Sequence, residues 1–497
     1  PAGTGMNVTY PIHRNALRMP RKPAVISGDT AIPYGALDAL VWATAAAFRD
    51  QGLRAGDRAL LAVDMQLRHL VTALALARLG VAYHPLMADD GPGTARALAG
   101  RIGARALVVS AVERDGGGWS AGLAAASDLA EVALPAMVQP ARDAAGLEFA
   151  DNPDGIWRFA SSSGTTGRPK LFAIGPATLT TLLDRYRLSV PISPGDVSLT
   201  LVDLAFLSSF RRALQDLCAG ATVVLSDARE PGPVAAAVRR NGVTRLYAGP
   251  WLMPKLLARA DLDAAFRRLT ILECSGSIVD ASLRAAVLER YTGGLGVNYG
   301  TNQLHPLATA IGAQCLAAPD TVGWPVPRGQ LEIVDDAGRP VPPGQTGQVR
   351  VRDEGMTSAY WDDEAATRAS FRDGWFHPGD LAQWSARGEV LFKGRADDLI
   401  ILDGINIHPS EIEHCLLQHP KVIEAAALGI AHRRHGAVPV AAVRVSEAPG
   451  PDELEGFCRE RLGVRHPRAV AVLAEFPRNP RGKVLKSALA RHFRADD

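Results

Sequence analysis

Cysteine is scarce and scattered in this chain. Its five copies (Cys218, Cys274, Cys315, Cys415 and Cys458) are an odd number and make no CxxC pair. That argues against a disulfide framework or a zinc site, and for a reducing compartment. An excess of charge of one sign is missing as well. A net charge of +2 is too balanced to suggest nucleic acid or an anionic membrane as the main partner. Long apolar runs are lacking: the best, Leu70 to Leu86, is broken by Arg78 and His84, so no membrane span is expected. The first residues show no apolar core of a signal peptide, and Pro1 to Gly5 ahead of Met6 reads as an expression scar. The expected setting is cytoplasmic.

What is present is an ordinary globular composition. Apolar residues make up 47% of 497 positions, enough for roughly three or four folding units. One stretch stands out: Ser161-Ser162-Ser163-Gly164-Thr165-Thr166-Gly167-Arg168-Pro169-Lys170, after a strand-like run from Ile156 to Ala160. Its hydroxyls, with backbone N–H groups freed by glycine, offer a polyphosphate many donors. Arg168 and Lys170 add positive charge. It is not a Walker A loop, which ends in Gly-Lys-Ser/Thr after four residues between glycines. A flexible Ser/Gly linker is the plain alternative.

Around this loop, strand-like and helix-like segments alternate, which predicts parallel α/β layers. Strands are expected at Ala59 to Val63, Ala106 to Val109, Val197 to Leu204, Thr222 to Leu225, Thr244 to Ala248, Leu269 to Cys274 and Leu295 to Tyr299. Helices are expected at Leu67 to Leu79, Phe206 to Cys218 and Val234 to Asn241, and loops with a surface helix between Arg114 and Asp151. Three strands end in small polar tips, and in open parallel sheets ligands sit beyond the carboxyl ends of strands. Tyr247 to Pro250, Ser275 to Ser277 and Asn298 to Gln303 should therefore share a cleft with the 161–170 loop. From about residue 320 a β-meander pattern takes over. The polar hexapeptide Lys393 to Asp398 is the candidate boundary to a compact C-terminal unit, where Ser410 and Glu413 have capping-box spacing.

Further motifs accompany the loop. They are Asn298-Tyr299-Gly300, Gly374-Trp375-Phe376-His377-Pro378-Gly379-Asp380, Gly394-Arg395-Ala396-Asp397-Asp398, the run from Asp403 to Glu413, and Pro477-Arg478-Asn479-Pro480-Arg481-Gly482-Lys483. In this order the set resembles the superfamily of AMP-forming adenylating ligases: acyl- and aryl-CoA synthetases, adenylation domains of nonribosomal peptide synthetases, and luciferases. The resemblance covers nearly the whole chain. It implies an α/β protein of several subdomains: a large N-terminal domain of parallel layers with a β-rich part over 6–395, a hinge at 396–398, and a small mobile α+β lid over 399–497. It also implies a two-step reaction with ATP and Mg²⁺. A carboxylate displaces pyrophosphate to form an acyl-adenylate, and the thiol of CoA or a carrier protein's phosphopantetheine then displaces AMP.

The same resemblance distributes roles. Ser161, Ser162, Ser163, Gly164, Thr165, Thr166, Gly167, Lys170 and Asn302 face the ATP phosphates. Gly276, Ser277, Asn298, Tyr299, Gly300, Asp380 and Arg395 face adenine and ribose, with Asp380 offering two acceptor oxygens to the ribose hydroxyls. Lys483 is the catalytic cation, bridging the substrate carboxylate and the α-phosphate. Asp397 is the hinge and Gly404 belongs to the loop at the thiol tunnel. Without the motifs, Asp380 reads as a solvated turn acid, Tyr299 as a core ring and Lys483 as a solvated lysine in a basic tail.

Some positions depart from the pattern. Where the family has Tyr-Gly-x-Thr-Glu, this chain has Tyr299-Gly300-Thr301-Asn302-Gln303. Gln303 thus takes the place of a catalytic, magnesium-binding glutamate and is expected to hold the metal only weakly, since magnesium prefers carboxylates. Pro378 replaces a threonine, and Leu171 and Gly175-Pro176 replace the family's loop flank. Two readings stay open: a divergent active ligase, or a nucleotide- or adenylate-binding protein with weakened turnover.

The acyl pocket is expected around Leu204, Ala205, Phe206, Tyr247, Gly249 and Ser275. The register places no aspartate there to pair an α-ammonium, because Asp203 falls out of step. An unpaired ammonium in an apolar pocket would be costly, so an aryl or short-to-medium acyl acid is expected rather than an amino acid. Arg211 and Arg212 fall near the rim, either on a surface helix face or facing an anionic group. No carrier segment is evident, so the acceptor is expected in trans, as CoA or a separate carrier protein.

Overall fold

The computed structural model describes residues 7–63, 65–87, 90–110, 119, 123, 129–135, 147–150, 155–162, 170–228, 230–276, 279–318, 320–478 and 484–493. The alternating part of the chain builds two sheets. A nine-stranded sheet runs in the order Trp324–Pro325, Ala308–Ile311, Leu295–Tyr299, Ile271–Cys274, Arg245–Ala248, Val197–Thr200, Thr222–Leu225, Pro23–Ser27, Thr30–Pro33. Its central ladders are parallel and its outer ones antiparallel. A six-stranded sheet follows the order Ala130–Leu134, Ala106–Ser110, Arg58–Ala62, Ala82–Pro85, Arg158–Ser162, Lys170–Ile174, parallel except for its last pair.

Strands such as Thr222–Leu225 and Arg245–Ala248 are buried along their full length, as parallel strands covered on both faces must be. One apolar core joins the two sheets through the helices Tyr34–Asp50, Gln66–Leu79 and Leu207–Ala219. The helix Gln66–Leu79 is buried on nearly every side, which is why apolar residues fill its circumference rather than one stripe. Its internal cation, Arg78, pairs with Asp38. Separate apolar clusters cover the outer faces of the two sheets.

The meander beyond residue 320 forms a third, antiparallel sheet from Gln330–Val334, Thr346–Arg352, Phe371–Arg372, Trp375–Phe376, Asp380–Trp384 and Val390–Arg395. A fourth, C-terminal sheet contains Ile405–Ile407, Ile400–Leu402, Gly436–Val445, Val422–His432 and Val470–Val472. It has its own core with the helices Pro409–Leu417 and Glu453–Leu462. The chain thus leaves one sheet at Arg395 and enters the next at Ile400. No helix among the described residues is long and apolar enough to cross a membrane.

Several local expectations need correction. The strand expected to reach Leu204 ends at Thr200. Asp203 then accepts a hydrogen bond from the Ala205 N–H at 2.7 Å and turns the chain toward the next helix. Of the polar hexapeptide Lys393 to Asp398, the first three residues belong to the strand Val390–Arg395. Ser410 and Glu413 make no capping box. Ser410 Oγ donates to the Lys393 carbonyl at 2.8 Å, and Glu413 accepts from the Ala427 N–H at 2.9 Å, so both are used in tertiary contacts. Between 114 and 151, where loops and a surface helix were expected, Ala130–Leu134 is a strand at the edge of the six-stranded sheet.

Candidate active site

Strand register builds the first part of the site. Asp380 opens the strand Asp380–Trp384, Arg395 closes Val390–Arg395, and the two are direct cross-strand partners. Arg395 Nη1 therefore reaches Asp380 Oδ1 at 3.1 Å and the Pro378 carbonyl at 2.6 Å. Its other edge grips Asp397 at 3.0 and 3.2 Å. Gly379 turns the chain at φ +78°, where a Cβ would lie 3.1 Å from Arg395 Nη2. Tyr299, the last residue of Leu295–Tyr299, donates its hydroxyl to Asp380 Oδ2 at 2.6 Å. Burial pushes the Asp380 carboxyl above its ordinary value, with Arg395 and Tyr299 pulling it back. Burial and the Asp380 charge also hold the Tyr299 phenol well above its usual range. The result is a carboxylate only 6% exposed, whose two oxygens each receive one protein donor.

The phosphate-side motif lies across the same opening. Ser161 belongs to the strand Arg158–Ser162, and its hydroxyl is 2.9 Å from His84 Nε2. Burial and neighbouring Arg158 lower His84 to about 3, so this imidazole is neutral. Asn302 Nδ2 donates to the Ser161 carbonyl at 3.4 Å. The Lys170 ammonium sits 5.1 Å from the Tyr360 ring centroid, and Gln303 Nε2 donates to the Tyr360 hydroxyl at 3.4 Å. Gly300 permits the tight turn here: a Cβ on it would lie 2.5 Å from His305 Cδ2. Ser163, Gly164, Thr165, Thr166, Gly167, Ser277 and Lys483 lie outside the described residues, and of Ser162 only the backbone strand is described.

A cavity of about 780 Å³ connects these groups. Lys170, Pro250, Gly276, Asn298 to Gln303, Asp380, Arg395 and Asp397 share its wall. The C-terminal domain closes one side with Glu424 to Ala426, Arg478 and Val484. Arg478 and Val484 flank the segment holding Lys483, and a β-bridge joins them. Arg478 pairs with Glu424, and Lys486 with Glu413 at 3.2 Å. Asp320 ties the two domains together, 2.6 Å from Lys393 Nζ and 3.0 Å from His414 Nδ1. Gly404 is exposed in the turn between Ile400–Leu402 and Ile405–Ile407, away from this cavity.

The residues expected around the acyl group sit behind the cleft rather than on its described wall. Leu204, Phe206 and Tyr247 are buried, and Ala205 and Gly249 are half-buried. Ser275 Oγ donates to the Tyr247 hydroxyl at 3.4 Å. Asn298 has both ends of its amide engaged, donating to Glu273 at 2.8 Å and accepting from Thr309 at 2.9 Å. Glu273 also takes Arg212 Nη2 at 3.1 Å and the Tyr186 hydroxyl. Arg212 Cζ lies 3.6 Å from the Tyr247 ring centroid. Arg211 and Arg212 are 2% and 4% exposed, which removes the surface-face alternative for both.

The donor set was tested for magnesium. Among the described residues no three His, Cys, Asp or Glu side chains cluster as a metal site. Gln303 is a neutral amide turned toward Tyr360, whereas magnesium wants carboxylate oxygens. The described residues do not fit a protein-built magnesium site.

Sequence reasoning passed over three contributors. Tyr360, between Lys170 and Gln303, carries no local signal. His84 stood out only as an interruption of an apolar run. Glu273 did have a signal: it is the one charge in the fully buried strand Ile271–Cys274, where an acid is rare unless paired.

This geometry can be set beside known proteins. The profile of the AMP-binding enzyme family matches residues 12–361, and that of the AMP-binding enzyme C-terminal domain matches 411–483. The chain belongs to the AMP-binding enzyme family. It is an enzyme of the AMP-forming adenylating ligase class. It is 30% identical over 501 residues to a feruloyl-CoA synthase of Amycolatopsis sp, with 98% of each chain covered. An indoleacetate–CoA ligase of Aromatoleum aromaticum is 28% identical over 515 residues, with 97% of each covered. Among solved structures, an amide bond synthetase of Marinactinospora thermotolerans superposes with a TM-score of 0.87 at 26% identity, covering 98% of this chain and 100% of that one.

Proposed function

We propose that this ligase activates an aryl or short-to-medium acyl carboxylic acid with ATP and transfers it to the thiol of CoA. The observation that carries the reading is the single cavity joining Asp380, Arg395 and Tyr299 to Lys170 and Asn302. A nucleoside triphosphate has the same layout of ribose and phosphates. Asp380 accepts the ribose hydroxyls on the lone pairs that Tyr299 and Arg395 leave free. Lys170, Asn302 and the hydroxyl loop take the phosphates. One oxygen of the acid attacks the α-phosphorus, and the bond to the bridging oxygen breaks with its electrons leaving on pyrophosphate. Two anions must meet, so neutralising charge is the main catalytic task, and Lys483 is assigned to it. In the second step the thiolate attacks the acyl carbon, AMP leaves, and the thiol proton goes to solvent. Asp397 is assigned as the pivot that turns the C-terminal domain between steps, bringing Gly404 to the thiol. The setting proposed is cytoplasmic.

The names of the relatives support an aryl acid as substrate, one carrying ferulate and another indoleacetate. ATP–pyrophosphate exchange over a panel of aryl and acyl acids tests the reading. Exchange is expected with at least one acid, falling about 10²–10³-fold in Lys483→Ala, and Gln303→Glu is expected to lower the magnesium requirement. Nucleotide binding without exchange for any acid, in both wild type and Gln303→Glu, would leave a nucleotide-binding protein instead. Mass spectrometry after adding CoA, a phosphopantetheinyl carrier protein or a simple amine to the adenylate identifies the acceptor. The amine arm matters because an amide bond synthetase is among the structural relatives.

A further inference from the structure

We propose that Arg211 binds a second anionic group of the substrate, a carboxylate distal to the one that is activated. This rests on the acid-activation reading above and narrows its substrate class. Arg211 lies on the helix Leu207–Ala219, which follows directly on Leu204, Ala205 and Phe206. Its side chain is buried, and among the described residues its Nε and Nη1 find no hydrogen-bond partner. Its field reaches Tyr247, at the back of the cleft, and His305, whose Nδ1 is likewise buried and unpartnered.

Two other buried arginines of this region are hydrogen-bonded to a carboxylate. Arg185 has Asp353 at 2.9 Å and Arg212 has Glu273 at 3.1 Å. Arg158 lies in the field of Asp203 and donates to the Ala205 carbonyl. For Arg211 the strongest charged neighbour is another cation, Arg212, and Glu273 already serves Arg212, Tyr186 and Asn298. Burial and Arg212 bring Arg211 down to about 10, so it is still a cation at neutral pH. His305 adds no positive charge for an anion, because burial and the fields of Arg211, Arg212 and Arg185 keep it neutral.

A buried charge without a counter-ion is strongly unfavourable, and among the described residues no carboxylate is hydrogen-bonded to Arg211. A neutral oxygen would satisfy an N–H but leave that charge unanswered. A carboxylate answers both, since guanidinium and carboxylate match in plane and spacing. Sites built to pair a polar substrate group reject analogues lacking it far more strongly than apolar pockets discriminate by size.

The test compares matched pairs in ATP–pyrophosphate exchange: the three benzenedicarboxylates, homophthalate and glutarate, each against its monomethyl ester. Wild type is expected to favour the diacid in at least one pair by about 30-fold or more in kcat/KM. In Arg211→Met that ratio should fall to within about threefold, while Arg211→Lys, which keeps the charge, should retain an intermediate preference. Thermal melting with and without ATP confirms that each variant folds and binds nucleotide. Esters exchanging as well as diacids in every pair would overturn the inference and leave acid activation intact. So would an Arg211→Met variant that folds, binds ATP and keeps the diacid preference. Exchange with no acid of either kind would instead remove the adenylation reading, and this inference with it.

Discussion

Replacing Asp380 by asparagine tests the group proposed to hold the nucleotide. In the native site Oδ2 receives the Tyr299 hydroxyl at 2.6 Å and Oδ1 receives Arg395 at 3.1 Å. A carboxylate oxygen accepts about two hydrogen bonds, so each keeps one position for a ribose hydroxyl. Asparagine has the same shape but only one acceptor. Whichever way the amide turns, its NH₂ meets a donor from Tyr299 or Arg395, and one ribose bond is lost. Hydrogen bonds to charged partners are worth about 1.5–3 kcal/mol, which is about 10- to 100-fold at about 1.4 kcal/mol per tenfold. The KM for ATP in pyrophosphate exchange should rise by that factor. The kcat should change far less, because ribose does not react and uniform binding appears in KM.

The acid limb of the pH profile gives a second readout. Burial raises the Asp380 pKa in the folded protein. Its stabilising contribution to the empty fold is therefore complete below the unfolded value, about 3.9, and is lost as pH rises through the folded one. The proposed ribose contacts need the ionised form, so kcat/KM for ATP should fall on acidification with a midpoint above that of an exposed aspartate. Asp380→Asn should lack that limb. An ATP KM within about threefold of wild type, with the acid limb unchanged, would refute the ribose assignment.

Other perturbations follow from the same contacts. Glu273→Gln should lower unfolding free energy by about 3–5 kcal/mol in denaturant titration, because Arg212 is left as a buried, unpaired cation; pairing Glu273→Leu with Arg212→Met should recover most of it, and no recovery would argue against the ion pair as cause. Gly300→Ala places a Cβ 2.5 Å from His305 Cδ2 and 3.1 Å from its Cα, so overpacking should cost about 1–3 kcal/mol and show as a lower Tm; an unchanged Tm means that this turn has slack. Asp397→Pro should slow thioester formation at least about tenfold more than pyrophosphate exchange, since it stiffens the proposed pivot, with Asp397→Ala as control for the lost Arg395 contacts. Equal slowing of both half-reactions would contradict the hinge.

Much of the architecture was readable because the strands are buried on both faces. Thr222–Leu225 and Leu295–Tyr299 appear where short apolar runs end in turn residues. Failures came where tertiary contacts overrode local pattern. The Ser410–Glu413 spacing looked like a cap, yet each side chain is recruited by another strand. The polar hexapeptide Lys393 to Asp398 looked like a boundary throughout, yet its first half is strand and the Arg395 guanidinium faces Asp380.

The amino-acid sequence by itself determined the class: the order of six short motifs, the glycine-rich loop among them, and the alternation of strands and helices suffice for an adenylating ligase of layered α/β design. Those features are local, written in residue type and spacing. Which side chains meet was decided only by the tertiary structure. Register sets Asp380 against Arg395, and the packing of Leu207–Ala219 between two sheets buries Arg211 and Arg212. One of that pair is answered by Glu273, sixty-one positions away in sequence, and the other by no described side chain. Adjacent arginines look identical on paper; burial and the supply of counter-charge, both non-local, make one structural and leave the other for a ligand.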